Sequence, residues 1–343
     1  MNKIFPSSEY ALLKRLEPLL NYKKSKRYPL GMGDDAAIRT CKAGEQLVFT
    51  ADSFVETVHF STKYMNFREI GFKAMAINLS DCAAMGTRPD GALVQIIFPV
   101  HINGKTVSQS ILNIYKGLNE ACKTWNFPVI GGNLSKGPCW IIDITCAGSA
   151  DINSRLLRRK GVKSGDSLWI TGFPGSSAAG LIAIGKYGSI EKIPHKYMNL
   201  VKSHIKPTPR IEAGIILARN QAVHAMIDIS DGIAKECRTL AFENKTGIIL
   251  EPHEDCFLPD MRELSGETGK DYMDWFLYGG EDYELLFAAS RTFNPACLPQ
   301  GISVKKIGIF TNRVKKVFFR NKNGKMVKVE KSGWDHLEPC RPG

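Results

Sequence analysis

The stretch FREIGFKAMAINLSDCAAMG, residues 67–86, has the pattern that decides the fold class. Its apolar residues recur at spacings of three and four, which is typical of a helix with one buried face. Gly86, with Pro89 soon after it, provides a C-terminal stop. Asp81 falls on the apolar stripe, where a carboxylate is costly unless it is paired, binds a cation or lies at an exposed helix end. We therefore predict a helix over 67–86 that carries an acid into a site.

Predicted strands flank this helix. QLVFTAD (46–52) predicts a strand that ends at Asp52, and GALVQIIFPV (91–100) predicts the next one. A second helix over 108–125 is followed by strands around FPVIGG and WIIDITCAGSA. This alternation, continued to about residue 150, predicts a first α/β domain.

The basic segment 151–166 marks a domain boundary, so we predict two domains, 1–150 and 151–343. The second half shows a strand SLWITGF, a strand–turn–helix AMIDISDGIAKECRTLAF and a strand YELLFAAS. A hairpin KKVFFRNKNGKMVKV, with NKNG as its turn, follows. GFPGSSAAG (172–180) fits a phosphate-cradling turn and close helix–strand packing equally well.

Composition limits the class of protein. The chain has 343 residues, 43% of them hydrophobic and 23% charged, which indicates a globular protein. No apolar run approaches the roughly 20 residues that span a bilayer, and no signal peptide is apparent. Nine cysteines without a CxxC pair indicate reduced thiols and a cytoplasmic location. The net charge of +12 alone would allow nucleic acid, but the basic residues are spread along the chain, so no nucleic-acid partner is predicted.

Several aspartates fall at predicted turns or at the ends of predicted elements. GMGDDAAI (31–38) places two acids side by side, which repel each other by roughly 4 kcal/mol at about 4 Å in an effective dielectric near 20. Oxygen ligands at such positions suit Mg²⁺, which is held by a few carboxylates together with substrate phosphates. The acids of this pattern are Asp34, Asp35, Asp52, Asp81, Asp228 and Asp231.

Other catalytic patterns are absent from the sequence. It has no P-loop GxxxxGK[ST], no protein-kinase motif set, no GxSxG elbow and no HExxH. No side chain is therefore assigned as a catalytic nucleophile or general base.

The ordered motifs resemble those of one family over nearly the whole chain. GMGDDAA, KAMAINLSDCAAMGTRP, VIGGN, GDSLWITGFPGSSAAGL, IDISDGI and GGEDYELLF occur in this order. Together they are similar to thiamine-monophosphate kinase, of the superfamily that includes aminoimidazole ribonucleotide synthetase (PurM-like). The resemblance implies ATP- and Mg²⁺-dependent phosphorylation of thiamine monophosphate to thiamine diphosphate. It also implies a homodimer in which N-terminal sheets pair into a β-barrel, and a C-terminal α/β domain that completes the active site.

The resemblance further implies a role for individual residues. The metal ligands would be Asp35, Thr50, Ala51 through its carbonyl, Asp52, Asp81, Asn133, Asp228 and Asp231, with Asp34 in support. ATP would contact Tyr115, Gly132, Arg159 and Ser230. The thiamine substrate would contact His59, Glu281 and Trp334.

Two positions depart from the family pattern. Asn133 stands where the family has aspartate, and Ala51 stands where it usually has threonine. Both changes concern the same metal ion, so weaker magnesium binding is expected. The alternatives are a catalytically weakened nucleotide- or thiamine-phosphate-binding relative, and another ATP-dependent synthetase of the superfamily.

Overall fold

The computed structural model describes residues 9–32, 35–312, 316–321, 323–331 and 333–334. The chain divides into two compact units. Unit 1 comprises Met1–Cys82 and Thr87–Ser154, and unit 2 comprises Ala83–Gly86 and Arg155–Gly343. The division between Ser154 and Arg155 falls inside the basic segment 151–166. Within the described residues, no helix combines the length and the apolar character that a membrane crossing requires.

Unit 1 combines one sheet with helices. The helices are α1 (Glu9–Leu16), α2 (Phe67–Met85) and α3 (Gly104–Trp125), and the strands are β1 (Glu45–Val55), β2 (Arg88–Pro99), β3 (Val129–Gly137) and β4 (Ile141–Asp151). The strand order is β1-β4-β2-β3, in which β4 runs antiparallel to β1 and β2, and β3 runs parallel to β2. The helix α3 begins earlier than predicted because the Asn103 side chain caps it, accepting a hydrogen bond from the backbone N–H of Thr106.

The two faces of the unit 1 sheet differ in character. On one face, Ile144 and Cys146 of β4 and Val94 of β2 are buried. On the other face, Phe49 is 66% exposed and Leu93 is 41% exposed. The second face therefore presents apolar side chains that unit 1 itself does not cover.

Glycines allow α2 and α3 to approach closely. A Cβ atom added to Gly71 would lie 2.0 Å from the carbonyl oxygen of Ile114, and one added to Gly117 would lie 1.9 Å from that of Arg68. Each glycine thus faces the backbone of the other helix. No larger residue fits at either position without a shift of the helices.

Unit 2 is built on a larger mixed sheet. Its strands are β5 (Ser167–Thr171), β6 (Val223–Ile229), β7 (Gly247–Leu250), β8 (Glu284–Ala289), β9 (Val304–Thr311), β10 (Val317–Arg320) and β11 (Met326–Lys328). Its helices are α4 (Ser176–Tyr187), α5 (Met198–Ile205), α6 (Ile211–Arg219), α7 (Ile233–Glu243), α8 (Pro259–Thr268) and α9 (Tyr272–Tyr278). The strand order is β11-β10-β7-β9-β5-β8-β6, and every residue of β8 is buried.

The predicted class is confirmed: each unit mixes helices with one sheet. The closing hairpin is also present, since β10 and β11 pair antiparallel, although Lys322 of its turn lies outside the described residues.

The prediction that Asp52 ends a strand is wrong, because β1 continues through Phe54 to Val55. The prediction that Asp81 lies on the buried stripe of its helix is also wrong. The helix α2 is buried on almost every side from Ile70 onward, and Ile77, Asp81 and Met85 form its less buried line.

Candidate functional site

In unit 1, β1 and α2 meet through two of the predicted metal ligands. Strand alternation places Thr50 and Asp52 on the same face of β1. The Thr50 hydroxyl donates a hydrogen bond to Oδ2 of Asp81 on α2. The Thr50 hydroxyl and the Asp52 carboxylate therefore lie on one face of β1, and the Asp81 carboxylate lies on the helix that contacts this strand through Thr50.

This donor set is compatible with magnesium. Its atoms are oxygens, and Asp81 is only partly buried. Mg²⁺ commonly uses one or two protein carboxylates and completes its coordination with water and phosphate. Among the described residues, no three His, Cys, Asp or Glu side chains come together as a complete metal cage. The residues of unit 1 thus fit a partial site that needs further ligands.

The register does not bring Ala51 and Asn133 to this set through their side chains. Ala51 is exposed and alternates away from Thr50 and Asp52. Asn133 on β3 pairs with Gln95, and both are exposed. Gln95 in turn pairs with Asp143, which lies opposite Ser53. This line of pairs places Asn133 on the face of the sheet that Ala51 and Ser53 occupy.

The remaining unit 1 candidates lie in varied environments. Asp35 is exposed, and Asp34 lies outside the described residues. Nδ1 of His59 accepts a hydrogen bond of 3.1 Å from the backbone N–H of Val55. The Tyr115 side chain is buried within α3, and this burial raises the pKa of its phenol. At Gly132, an added Cβ would lie 1.8 Å from the carbonyl oxygen of Val94, so only glycine fits there.

Lys73 of α2 was not predicted. It is fully buried, and its Nζ lies 5.8 Å from the ring centroid of Phe54. Phe54 shares the β1 face that carries Thr50 and Asp52. A buried ammonium is costly unless nearby groups or a ligand compensate for it. The sequence feature that could have identified Lys73 is its position inside the apolar run FKAMAIN (72–78).

In unit 2, four predicted site residues are joined by backbone hydrogen bonds. The backbone N–H of Glu281 donates to the carbonyl of Ser230 at 2.7 Å, and that of Trp334 donates to the carbonyl of Asp231 at 3.0 Å. Lys235 adds two contacts, since its Nζ lies 2.8 Å from Oδ2 of Asp231 and 2.7 Å from the carbonyl oxygen of Trp334. The fold thus brings together an ATP candidate, a metal candidate and two substrate candidates.

Glycines make this assembly possible. A Cβ added to Gly280 would lie 2.5 Å from the carbonyl oxygen of Ser230, and one added to Gly333 would lie 1.7 Å from that of Asp231. Asp228, the other metal candidate of unit 2, is 5% exposed near the end of β6 and pairs with Leu285 of β8.

Glu236 supports the Asp231 turn. Its Oε1 accepts a hydrogen bond of 3.2 Å from the backbone N–H of Asp231. Burial, and then the negative charge of Asp231, raise the pKa of Glu236 to about 7. The charges of Arg159 and Lys235 act in the opposite direction. The positive charge of Arg159, an ATP candidate, therefore acts on Glu236, the residue that contacts the Asp231 turn.

The GFPGSSAAG turn is occupied by the protein's own carboxylate. The backbone N–H of Gly175 donates to Oδ2 of Asp282 at 2.8 Å, and that of Ser177 donates to Oδ1 at 3.1 Å. Asp282 therefore takes N–H groups that a phosphate would need at the start of α4. Burial raises the pKa of Asp282 to about 7. This contact favours a structural role for the turn over a phosphate cradle.

The residues around Asp282 are in strained conformations. Glu281 has φ of 62° and Tyr283 has φ of 52°, in the left-handed region that costs a non-glycine residue roughly 1–2 kcal/mol. Backbone hydrogen bonds from Glu281 to Ser230 and from Tyr283 to Ile229 hold both conformations. Strain of this kind is concentrated at functional sites.

The chain is similar to known proteins along most of its length. Residues 33–150 match the family described as AIR synthase related protein, N-terminal domain. The thiamine-monophosphate kinase of Bacillus subtilis is 31% identical over 315 residues, which cover 90% of this chain and 94% of the relative. That of Buchnera aphidicola subsp. Schizaphis graminum is 33% identical over 321 residues, covering 92% and 94%.

Solved structures show the same fold. The thiamine-monophosphate kinase of Stenotrophomonas maltophilia superposes with a TM-score of 0.79 at 28% identity, covering 93% of this chain and 98% of the other. The structure described as AaThiL complexed with AMPPCP and TMP gives 0.74 at 28% identity, covering 96% and 97%. Escherichia coli HypE, a hydrogenase maturation protein, gives 0.73 at 17% identity, covering 96% and 98%, and shares the fold alone.

The sequence relatives match along nine tenths of the chain and so extend through both units. Their identities of 31% and 33% over that length confirm the resemblance seen in the motifs. The chain belongs to the thiamine-monophosphate kinase family.

Proposed function

We propose that the chain transfers the γ-phosphoryl group of ATP to thiamine monophosphate and so forms thiamine diphosphate and ADP. The observation that carries this proposal is the match to thiamine-monophosphate kinases over 90% of the chain, through both units. A structural neighbour at 28% identity was solved with AMPPCP and TMP, a pair that corresponds to the two substrates.

The transfer needs positioning more than a protein nucleophile. The second pKa of a phosphate monoester is about 6, so the acceptor is largely a dianion at neutral pH. One of its oxygens forms the new bond to the γ-phosphorus, while the bond from that phosphorus to the β-phosphate oxygen breaks and ADP leaves. The task of the protein is to hold two anions in line and to offset their repulsion.

We propose that Mg²⁺ is required, with the acids of the family pattern as its ligands. When bound, it neutralises phosphate charge and orients the phosphates. The oxygen-only set of Thr50, Asp52 and Asp81 supports this proposal within unit 1. The full proposed ligand set remains Asp35, Thr50, Ala51, Asp52, Asp81, Asn133, Asp228 and Asp231.

The proposed contacts to ATP and the acceptor follow the family pattern. ATP is assigned to Tyr115, Gly132, Arg159 and Ser230, and thiamine monophosphate to His59, Glu281 and Trp334. The hydrogen bonds that tie Glu281 and Trp334 to the Ser230–Asp231 turn support a shared site for acceptor and nucleotide. A carboxylate and an exposed indole suit a cationic thiazolium ring, through charge and a π face respectively.

We also propose a homodimer, because Phe49 and Leu93 expose apolar surface on one face of the unit 1 sheet. Pairing of this face with its copy would produce the predicted barrel. A cytoplasmic location is supported by the described cysteines, which are all free thiols.

The experiment is a direct assay of product. Purified full-length chain is incubated with ATP and either thiamine monophosphate or unphosphorylated thiamine, over a series of Mg²⁺ concentrations, and thiamine diphosphate is quantified. We expect thiamine diphosphate only from the monophosphate and only with Mg²⁺. Tight nucleotide binding without turnover at any Mg²⁺ concentration would favour the weakened binding relative instead.

A further inference from the structure

The Glu281 carboxylate lies beside a buried histidine in unit 2, and that histidine contacts a buried serine. Nδ1 of His204, on α5, lies 3.5 Å from Oε2 of Glu281 and 3.1 Å from Oγ of Ser177, on α4. His204 is 1% exposed and Ser177 is fully buried. The three side chains come from separate elements, so their meeting is a product of the tertiary fold.

Ser177 links both acids of the GGED segment. Its backbone N–H donates to Asp282, and its hydroxyl contacts the imidazole that contacts Glu281. The start of α4 therefore holds Asp282 directly and contacts the imidazole that lies beside Glu281.

The imidazole is suited to this task. Both contacts involve Nδ1, so with its proton on that nitrogen His204 shares one N–H between Oγ of Ser177 and Oε2 of Glu281, and the negative charge stays on Glu281. A carboxylate fixed in one direction loses less side-chain entropy when a cationic ligand binds. The negative charge of Glu281 attracts a cationic ligand but not a neutral analogue of it.

We propose that Ser177 and His204 are positioning residues that orient the Glu281 carboxylate toward the cationic ring of the acceptor. This inference rests on the proposed function. It assigns the acceptor's charge recognition to a three-residue unit, Ser177–His204–Glu281, of which the family pattern supplied only Glu281.

The test compares KM values in the full-length enzyme with ATP, Mg²⁺ and thiamine monophosphate. His204→Leu is expected to raise KM for thiamine monophosphate at least tenfold and Ser177→Ala about threefold, with KM for ATP changed less than twofold. His204→Asn retains an N–H donor near the position of Nδ1 and is expected to recover part of the loss. Ser176→Ala is the matched control, because the Ser176 hydroxyl donates to the carbonyl of Phe173 instead.

A double-mutant cycle separates positioning from general damage. In a Glu281→Gln background, His204→Leu should add little to KM, since the group it orients has lost its charge. Equal effects of His204→Leu on both KM values, or full additivity with Glu281→Gln, would overturn the inference while leaving the proposed function intact. Wild-type protein without turnover would overturn the proposed function and this inference with it.

Discussion

At the scale of single residues, the chemistry proposed for unit 1 depends most on Asp81. This residue is partly exposed on α2, and its carboxylate accepts the hydrogen bond of Thr50. We expect Asp81→Asn to lower kcat about 100-fold or more, because a metal ligand supplies several kcal/mol of charge stabilisation. The measurement is thiamine diphosphate formation at saturating substrates, with circular dichroism to verify folding.

Asp151→Asn is the control for this change, since Asp151 is an exposed acid at the end of β4. It should retain wild-type activity. Near-normal turnover in Asp81→Asn would remove Asp81 from the ligand set.

Glu236 makes stability depend on pH. Its pKa is raised from the ordinary 4.5 to about 7 in the folded protein. Between these values the folded state retains a proton that the unfolded state has lost. The free energy of unfolding therefore falls as pH rises from about 4.5 to about 7, by at most about 1.4 kcal/mol per pH unit from this group.

Urea unfolding at several pH values measures this dependence. Glu236→Gln should reduce its slope, and the part due to Asp282, whose pKa is also raised to about 7, should remain. Glu212→Gln, a change at an exposed position of α6, should leave it unchanged. An identical pH dependence in wild type and Glu236→Gln would contradict the assignment.

Residue types at the site were predictable, but their surroundings were not. Oxygen-bearing residues in family motifs predicted Thr50, Asp81, Asp231 and Glu281 as candidate site residues without structural information. The backbone hydrogen bonds that hold Asp282 at the start of α4 were not predictable. Gly175 and Asp282 are 107 residues apart, and only the tertiary fold joins them. For the same reason, the sequence did not decide between a phosphate-binding role and a packing role for the GFPGSSAAG turn.

At the scale of secondary-structure elements, the crossing of α2 and α3 depends on glycine. A Cβ at position 117 would lie 1.9 Å from the carbonyl oxygen of Arg68. We expect Gly117→Ala to lower the free energy of unfolding by about 2 kcal/mol, because the helices must move apart. Urea denaturation measures the change.

Gly104→Ala is the matched control at the start of the same helix, where an added Cβ would meet nothing within 4 Å. It should change stability by less than about 0.5 kcal/mol. Equal stability of the two variants would mean that the helices do not cross as described.

Periodicity predicted most elements but misjudged burial. The helix α2 is apolar on nearly all sides, so a stripe that passes through Ile77 and Asp81 did not identify its buried face. In β1, the alternation continues through Ser53 to Phe54 beyond Asp52, and an aspartate did not end the strand. Tertiary packing decided both outcomes.

At the scale of the whole molecule, the proposed dimer depends on the exposed face of the unit 1 sheet. Phe49 and Leu93 are the large apolar residues exposed there. We expect wild-type protein to be a dimer and Phe49→Asp with Leu93→Asp to be monomeric, because buried charges without partners disfavour the interface. Sedimentation equilibrium gives the mass.

Phe242→Asp serves as the control, because Phe242 is 82% exposed at the end of α7 in unit 2. It should remain dimeric. A monomeric wild-type protein, or a dimer that persists in the double variant, would contradict the proposed interface.

The central claim is that one phosphoryl group passes directly from ATP to thiamine monophosphate. The most direct measurement follows ATP labelled in its γ-phosphate during turnover by the wild-type chain with Mg²⁺ and thiamine monophosphate. We expect the label in the terminal phosphate of thiamine diphosphate, with one ADP formed for each labelled product. Label released as inorganic phosphate, with no labelled thiamine diphosphate, would contradict it.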